Sequence, residues 1–171
     1  MDIVIIGAGI GGLAGAAMLQ QRGHRVRVFE QAAQLGEVGA GVQMSANAVK
    51  VLDALGLRAA LEPSAVRPKA FEFRRFDSGE LLHSVALGAA HERQHGAPYL
   101  QIHRHDLHRA LLDKVRAADP AAVRLSARAT RLVERADAVS VEFDGAPNAS
   151  AELVIGADGI KSVVRQHVLG A

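Results

Sequence analysis

The chain of 171 residues contains no cysteine. A disulfide scaffold, a thiolate nucleophile and a cysteine-based zinc site are therefore excluded, and a reducing compartment fits. Aromatic residues are scarce, with five Phe, one Tyr and no Trp. The arginines and eight histidines are dispersed, so there is no basic stripe interleaved with rings and no nucleic-acid partner is expected. Neither sign of charge dominates, the formal net charge being +2. No apolar run approaches the roughly 18 residues that a membrane-spanning helix needs. The opening Asp2-Ile3-Val4-Ile5-Ile6 lacks the basic flank of a secretory signal, so no membrane association is expected either. A composition of 49% hydrophobic and 22% charged residues is that of a soluble globular domain. The length suits one domain with its own core, and the expected location is the cytoplasm.

Glycine, by contrast, is crowded into one place. Gly7, Gly9, Gly11, Gly12 and Gly15 fall within nine residues, although glycine is costly inside helices and strands. The apolar residues 2–6 before them read as a strand buried in a parallel sheet. Ile10, Leu13, Ala14, Ala17 and Met18 after them have helical spacing, with Gly23 as the stop. Arg25-Val26-Arg27-Val28-Phe29 then reads as a second strand ending at Glu30. Gly7-x-Gly9-x-x-Gly12 thus sits where a strand turns into a helix, and Glu30 follows eighteen residues beyond Gly12. This is the setting of a dinucleotide-binding turn. Gly7 permits the tight turn, Gly9 lets a pyrophosphate approach the backbone, and Gly12 lets helix and sheet pack closely. The helix N-terminus offers free N–H groups and a positive dipole end. Glu30 can accept hydrogen bonds from two ribose hydroxyls and disfavours a 2′-phosphate. The turn alone does not distinguish FAD from NAD, and the plainer alternative is a glycine-rich turn with no ligand.

The remaining pattern predicts a loop over 36–41, a helix over 45–55, and two β-segments within 69–86 around Asp77-Ser78-Gly79. A polar loop is expected over 88–98 and a helix over 106–118. Short strands follow near 122–126, 130–135 and 138–143, then a turn over 144–148. Leu153-Val154-Ile155 reads as an apolar strand running into Gly156-Ala157-Asp158-Gly159. No repeat or low-complexity linker breaks the chain, and one domain is expected.

Two other patterns carry less chemistry. His91-Glu92-Arg93-Gln94-His95 matches the HExxH form of zinc hydrolases. That chemistry needs a stable helix and a further ligand, and no ligand motif follows, so a chance match in a loop is the favoured reading and no metal is expected. His103, His105 and His108 gather around a helix start and are assigned surface or capping roles; His24 is expected to face solvent. Asp158 taken alone reads as an N-cap for a helix over 160–168, which is compatible with a cofactor role. Ser162 is read as part of the same motif rather than as a nucleophile.

The segments "GAGIGG", "VFEQ", "GAGVQMSANAVKVLDALGL", "IHRHDLHRALL" and "VIGADGIKSVVR" occur in an order that resembles the FAD-dependent aromatic-ring monooxygenases related to para-hydroxybenzoate hydroxylase. The likeness is greatest to salicylate hydroxylase, 3-hydroxybenzoate 6-hydroxylase and 6-hydroxynicotinate 3-monooxygenase, and covers almost the whole chain. Gly156-Ala157-Asp158-Gly159-x-x-Ser162-x-x-Arg165 is its most diagnostic segment. The resemblance implies an α/β fold: a Rossmann-like FAD-binding domain with a parallel sheet, a small antiparallel β-meander and part of a substrate-domain sheet. Residues 1–171 would form the FAD-binding domain, the N-terminal portion of a longer enzyme, with 69–103 contributing to the substrate-side sheet.

By the same resemblance Gly7, Gly9 and Gly12 hold the FAD pyrophosphate and Glu30 the adenosine ribose. Arg104 reaches the ribityl-phosphate part, the loop 39–43 with Gly41 and Gln43 runs along the isoalloxazine ring, and Asp158 serves FAD and the passing NAD(P)H. Gln43 stands where the 6-hydroxynicotinate enzymes are expected to carry histidine. The implied reaction is hydroxylation of a phenolic or hydroxylated aromatic acid with O2 and NADH or NADPH. The sequence names no catalytic residue for it. Alternatives are a flavin-binding fragment without catalysis, or a flavin-dependent dehydrogenase or epoxidase on the same fold. The family's later glycine–aspartate motif and most of its substrate sheet do not occur in the chain. An exposed sheet edge and apolar face would then favour a homo-oligomer.

Overall fold

The structure, a computed structural model, describes residues 1–36 and 39–170. In chain order the elements begin with β1 (Asp2–Ile6), α1 (Ile10–Gln21) and β2 (Arg25–Phe29). Next come β3 (Gly41–Met44), α2 (Ala46–Ala54), α3 (Arg58–Leu61) and a 3-10 turn (Glu62–Ser64). They are followed by β4 (Ala70–Arg74), β5 (Leu81–Ala86), α4 (Ala89–His95), β6 (Leu100–His103) and α5 (Arg104–Ala118). The chain closes with β7 (Val123–Arg124), β8 (Arg128–Glu134), β9 (Val139–Asp144), β10 (Ala149–Ala151), β11 (Leu153–Gly156) and α6 (Val163–Leu169). Two compact units result, Met1–Glu37 with Leu111–Ala171 and, between them in sequence, Val38–Ala110.

The first unit is built on a parallel sheet in the order β11-β1-β2-β7. Its centre is β1, buried from Ile3 to Ile6, as a strand covered on both faces must be. β1 pairs with β2 from Asp2↔Arg25 to Ile6↔Phe29 and with β11 from Ile3↔Leu153 to Ile6↔Gly156. α1 connects the first two strands and ends as the sequence requires, with Gly23 at φ +79° and its N–H bonded to Gln20 O at 2.9 Å. A second, antiparallel sheet, β10-β9-β8, is the expected meander. The two sheets share a core in which Val4, Ile6 and Phe29 meet Leu132, Val141 and Phe143. The Phe29 and Phe143 rings stack at 4.4 Å. Burying such a side chain fully stabilises by about 1.5–3 kcal/mol.

In the second unit β3 pairs antiparallel with β6, Gly41↔His103 to Met44↔Leu100. Val66 adds a two-way backbone bond to Gln101 at 2.8 Å each way. β4 and β5 form the expected hairpin, turning through Gly79 at φ +73°. All residues of β5, and of β4 after Ala70, are exposed. Phe71 and Phe73 sit edge to face at 5.0 Å on that ribbon.

Several expectations need correction. Gly41–Met44, overlapping the loop expected over 39–43, is a strand, which the local sequence does not show because its partner lies more than fifty residues away. Its partner β6 was unforeseen for the same reason. Residues 88–98 are not simply loop: Ala89 and Ala90, good helix formers, open α4, which Gly96 closes at φ +72°. α5 begins two residues earlier than expected, at Arg104, and β10 precedes β11 where no strand was expected. α6 is shorter than the helix read over 160–168, starting at Val163.

Candidate functional site

The glycine turn is shaped by contacts that side chains would break. Gly7 has φ +104°, and a Cβ there would lie 2.4 Å from Ala157 O. A Cβ on Gly12 would lie 2.0 Å from Gly7 O and 3.3 Å from the Ala157 Cβ. Gly9 differs: its φ of −72° and ψ of 179° suit any residue, and a Cβ there meets nothing within 4 Å. Gly9 is the N-cap of α1, and no side chain caps that helix. The first helical hydrogen bond is Leu13 N to Gly9 O at 2.9 Å, so the first-turn N–H groups precede the helical ladder.

Glu30, at the end of β2, uses both oxygens on the backbone. Oε2 accepts from Ala8 N at 2.8 Å and Oε1 from Ala32 N at 2.9 Å. Each carboxylate oxygen retains further acceptor capacity. The carboxylate therefore buttresses the glycine turn while remaining able to accept a ligand hydroxyl. The chain returns beside it through Ser126, at φ +54°, and Ala127, whose N–H bonds Glu30 O at 2.9 Å.

Asp158 is the N-terminal anchor of α6. Its Oδ1 accepts from Ser162 Oγ at 2.6 Å, and its Oδ2 from Val163 N at 2.7 Å and Val164 N at 3.3 Å. Ser162 Oγ in turn accepts from Arg165 N at 2.8 Å, and the Arg165 guanidinium donates to Ile160 O at 2.7 Å. The capping reading of Asp158 is thus realised in full. Gly156 is needed because a Cβ there would lie 2.6 Å from the Val164 Cβ. Every named residue of the Gly156-to-Arg165 pattern except Ala157 and Gly159 serves this one turn, and Ala157 is where Gly7 makes its close approach.

These pieces meet in one cavity of about 330 Å³, lined among others by Gly7, Gly9, Glu30, Arg128, Asp158 and Lys161. Four of the eight site residues proposed from sequence line it, and Gly12 stands directly behind Gly7. Arg128 and Lys161 were not singled out by the sequence. Arg128 reads as one more polar residue in an alternating strand, and Lys161 fills an unspecified position of the motif.

A family model described as "FAD binding domain" matches residues 1–169. The chain belongs to the FAD-binding domain family. It is 47% identical over 167 residues to 3-amino-4-hydroxybenzoate 2-monooxygenase of Streptomyces cremeus, covering 98% of this chain and 42% of that protein. To 6-hydroxynicotinate 3-monooxygenase of Bordetella bronchiseptica it is 39% identical over 170 residues, covering 99% and 43%. Among solved structures, Klebsiella pneumoniae HpxO complexed with FAD and uric acid superposes with a TM-score of 0.88 at 34% identity, covering 99% of this chain and 42% of that one. The chain therefore spans about two fifths of the length of these relatives.

The other three proposed site residues of this FAD-binding domain lie in the second unit. Gly41 pairs with His103, and Arg104 N donates to Ala40 O at 3.2 Å, so Gly41 and Arg104 are neighbours there. The nearby Gly39 is constrained, since a Cβ would lie 3.0 Å from the Arg104 Cβ. Gln43 Oε1 accepts from Tyr99 OH at 2.9 Å. The HExxH segment forms α4, where the His91 and His95 rings lie 4.4 Å apart. Among the described residues no group of three or more His, Asp or Glu could hold a metal. His103 Nδ1 accepts from His105 N at 3.3 Å in a capping arrangement. His108 departs from its expected surface role and is only 6% exposed. Among the described residues no helix is long and apolar enough to cross a membrane.

Proposed function

We propose that the cavity at the C-terminal ends of β1 and β2 holds the ADP portion of FAD. The observation that carries this reading is the conjunction, in one cavity, of an uncapped α1 N-terminus, open space at Gly9 and the Glu30 carboxylate. A diphosphate needs unobstructed N–H donors, and a ribose needs an acceptor for its hydroxyls. The residues present fit that group: Gly7 and Gly12 permit the tight turn, Gly9 leaves space for the diphosphate, and Glu30 receives the ribose. Asp158 acts by fixing the turn that closes the cavity's far wall. Roles for Gly41 and Gln43 along the flavin ring, and for Arg104 at the ribityl phosphate, rest on the family resemblance.

Bound FAD would supply the redox chemistry, with NADH or NADPH as reductant and O2 as oxidant. We infer that the longer protein to which such a domain belongs is a cytoplasmic monooxygenase acting on a small hydroxylated aromatic acid. The relatives' names support that substrate class. The 171-residue chain by itself is read as binding without turnover. The two acids in its cavity serve the glycine turn and the α6 cap, and neither is assigned a catalytic role. The exposed β4–β5 ribbon is assigned to the substrate-side sheet, whose other strands it needs for cover.

The test is an FAD titration of the chain followed by flavin fluorescence and absorbance. Saturable binding that adenosine diphosphate displaces is expected. Failure of both this chain and a full-length protein carrying it to hold FAD would refute the reading. For the whole protein, NAD(P)H oxidation stimulated by hydroxylated benzoates, with oxygen incorporated into the ring, separates monooxygenase from dehydrogenase.

A further inference from the structure

The acids and cations lining the cavity balance in number but are not paired with one another. Glu30 and Asp158 are each engaged by two backbone N–H groups, and Asp158 by a hydroxyl as well. The two cations on the same lining are Arg128, at the start of β8, and Lys161, in the turn before α6. Both are exposed, and among the described residues neither side chain has a hydrogen-bond or ion-pair partner. Asp144 lies opposite Arg128 in the β8–β9 ladder, yet the two form no ion pair. Arg165, one turn beyond Lys161, is occupied by Ile160 O. Among the described residues the cavity thus presents two unpaired cationic side chains on the lining it shares with the uncapped α1 N-terminus.

We propose that Arg128 and Lys161 form a charge clamp that makes the cavity selective for the dianionic diphosphate of an adenosine dinucleotide over the uncharged nucleoside. The inference rests on reading the cavity as the ADP-half site and adds what discriminates there. The glycine turn and Glu30 recognise shape and ribose. The clamp supplies the long-range attraction, and because both side chains are solvated that attraction is screened by salt.

The test measures ADP and adenosine binding by calorimetry to the wild-type chain, to R128Q, to K161Q and to the double variant, at low and at high ionic strength. Wild-type ADP affinity should fall as salt rises. Each substitution should lower ADP affinity at low salt by about two- to fivefold, the size expected for one solvated charge contact. Each should also flatten the salt dependence and leave adenosine binding within about twofold. Neither side chain is buried, so the variants should keep the wild-type circular dichroism and Tm. A double variant that binds ADP with wild-type affinity and salt dependence overturns the clamp but leaves the cavity reading standing. Failure of the wild-type chain and of a full-length protein carrying it to bind either ADP or FAD, or a Gly9→Val chain that binds ADP unchanged, overturns both.

Discussion

Valine at position 9 and alanine at position 12 should do opposite things, although both replace a glycine in the same turn. At Gly12 an added Cβ meets Gly7 O at 2.0 Å, against the 3.0 Å below which real Cβ atoms essentially never approach. The turn and α1 must separate by about 1 Å, and both are backbone, so neither can rotate away. Overpacking of this kind costs about 3 kcal/mol. At about 2–4 °C per kcal/mol for a chain of this size, Gly12→Ala should lower Tm by roughly 6–12 °C. At Gly9 a Cβ meets nothing and the backbone already lies in the extended region. A weaker N-cap is offset by the lower entropy of the unfolded chain, so the net change should stay within about 0.5 kcal/mol. The isopropyl group would occupy the diphosphate's approach, and FAD affinity should fall at least tenfold, about 1.4 kcal/mol. Thermal denaturation and flavin-fluorescence titration of the two variants read these effects separately. A Gly9→Val chain with wild-type FAD affinity would refute the placement of the diphosphate. One that loses several degrees in Tm would refute the open space at that position.

Glu30→Ala removes the acceptor of two backbone N–H bonds and should cost about 1–3 kcal/mol by denaturant melt. Glu30→Gln, with an acceptor retained and the charge gone, should fold better and discriminate less against 2′,5′-ADP relative to ADP in a binding titration. Asp158→Ala strips the cap from α6 and should cost about 1 kcal/mol, seen as a few degrees in Tm and faster amide exchange at Val163 and Val164. In the β4–β5 turn, the Arg75 guanidinium hydrogen-bonds Asp77 and lowers its pKa to about 2 from 3.8. A depressed carboxylate stabilises the folded state above its unfolded pKa, so this contact is fully present above about 3.8 and lost as pH falls through about 2. Carboxyl NMR titration of Asp77 should find that low midpoint, and Arg75→Gln should return it toward the ordinary value.

What the sequence made legible is what local chemistry writes. The β1–α1–β2 unit carries its own evidence: an apolar run, a helical period closed by Gly23, and an alternating strand ending in an acid. Gly79 and Gly145, at φ +73° and +81°, likewise mark their turns in composition alone. Gly41–Met44 and Leu100–His103 carry no such signature, because each becomes a strand only by pairing with the other. Arg128 and Lys161 were silent for a related reason. Their residue types are ordinary on a solvated surface, and what distinguishes them is the lack of a partner among the described residues beside a cavity, which only three dimensions can show.

The same contrast explains why a motif near residue 10 and another near residue 160 belong to one site. A turn as tight as the one at Gly7 needs something to close against, and here it is the backbone of Ala157. The strand that delivers Ala157 is hydrogen-bonded alongside β1, with Ala157 N bonded to Ile6 O at 2.8 Å. Such an approach leaves no room for side chains at Gly7 or Gly12, and it requires the segment after Ala157 to be held in place. Asp158, Ser162 and Arg165 do that holding through α6. The residues that make the motif recognisable in sequence are thus mostly those that keep the cavity's wall rigid. The groups placed to attract the ligand's charge stand at positions the motif leaves unspecified. Mutations in the first set should therefore move stability and affinity together, and mutations in the second should move affinity and its salt dependence alone.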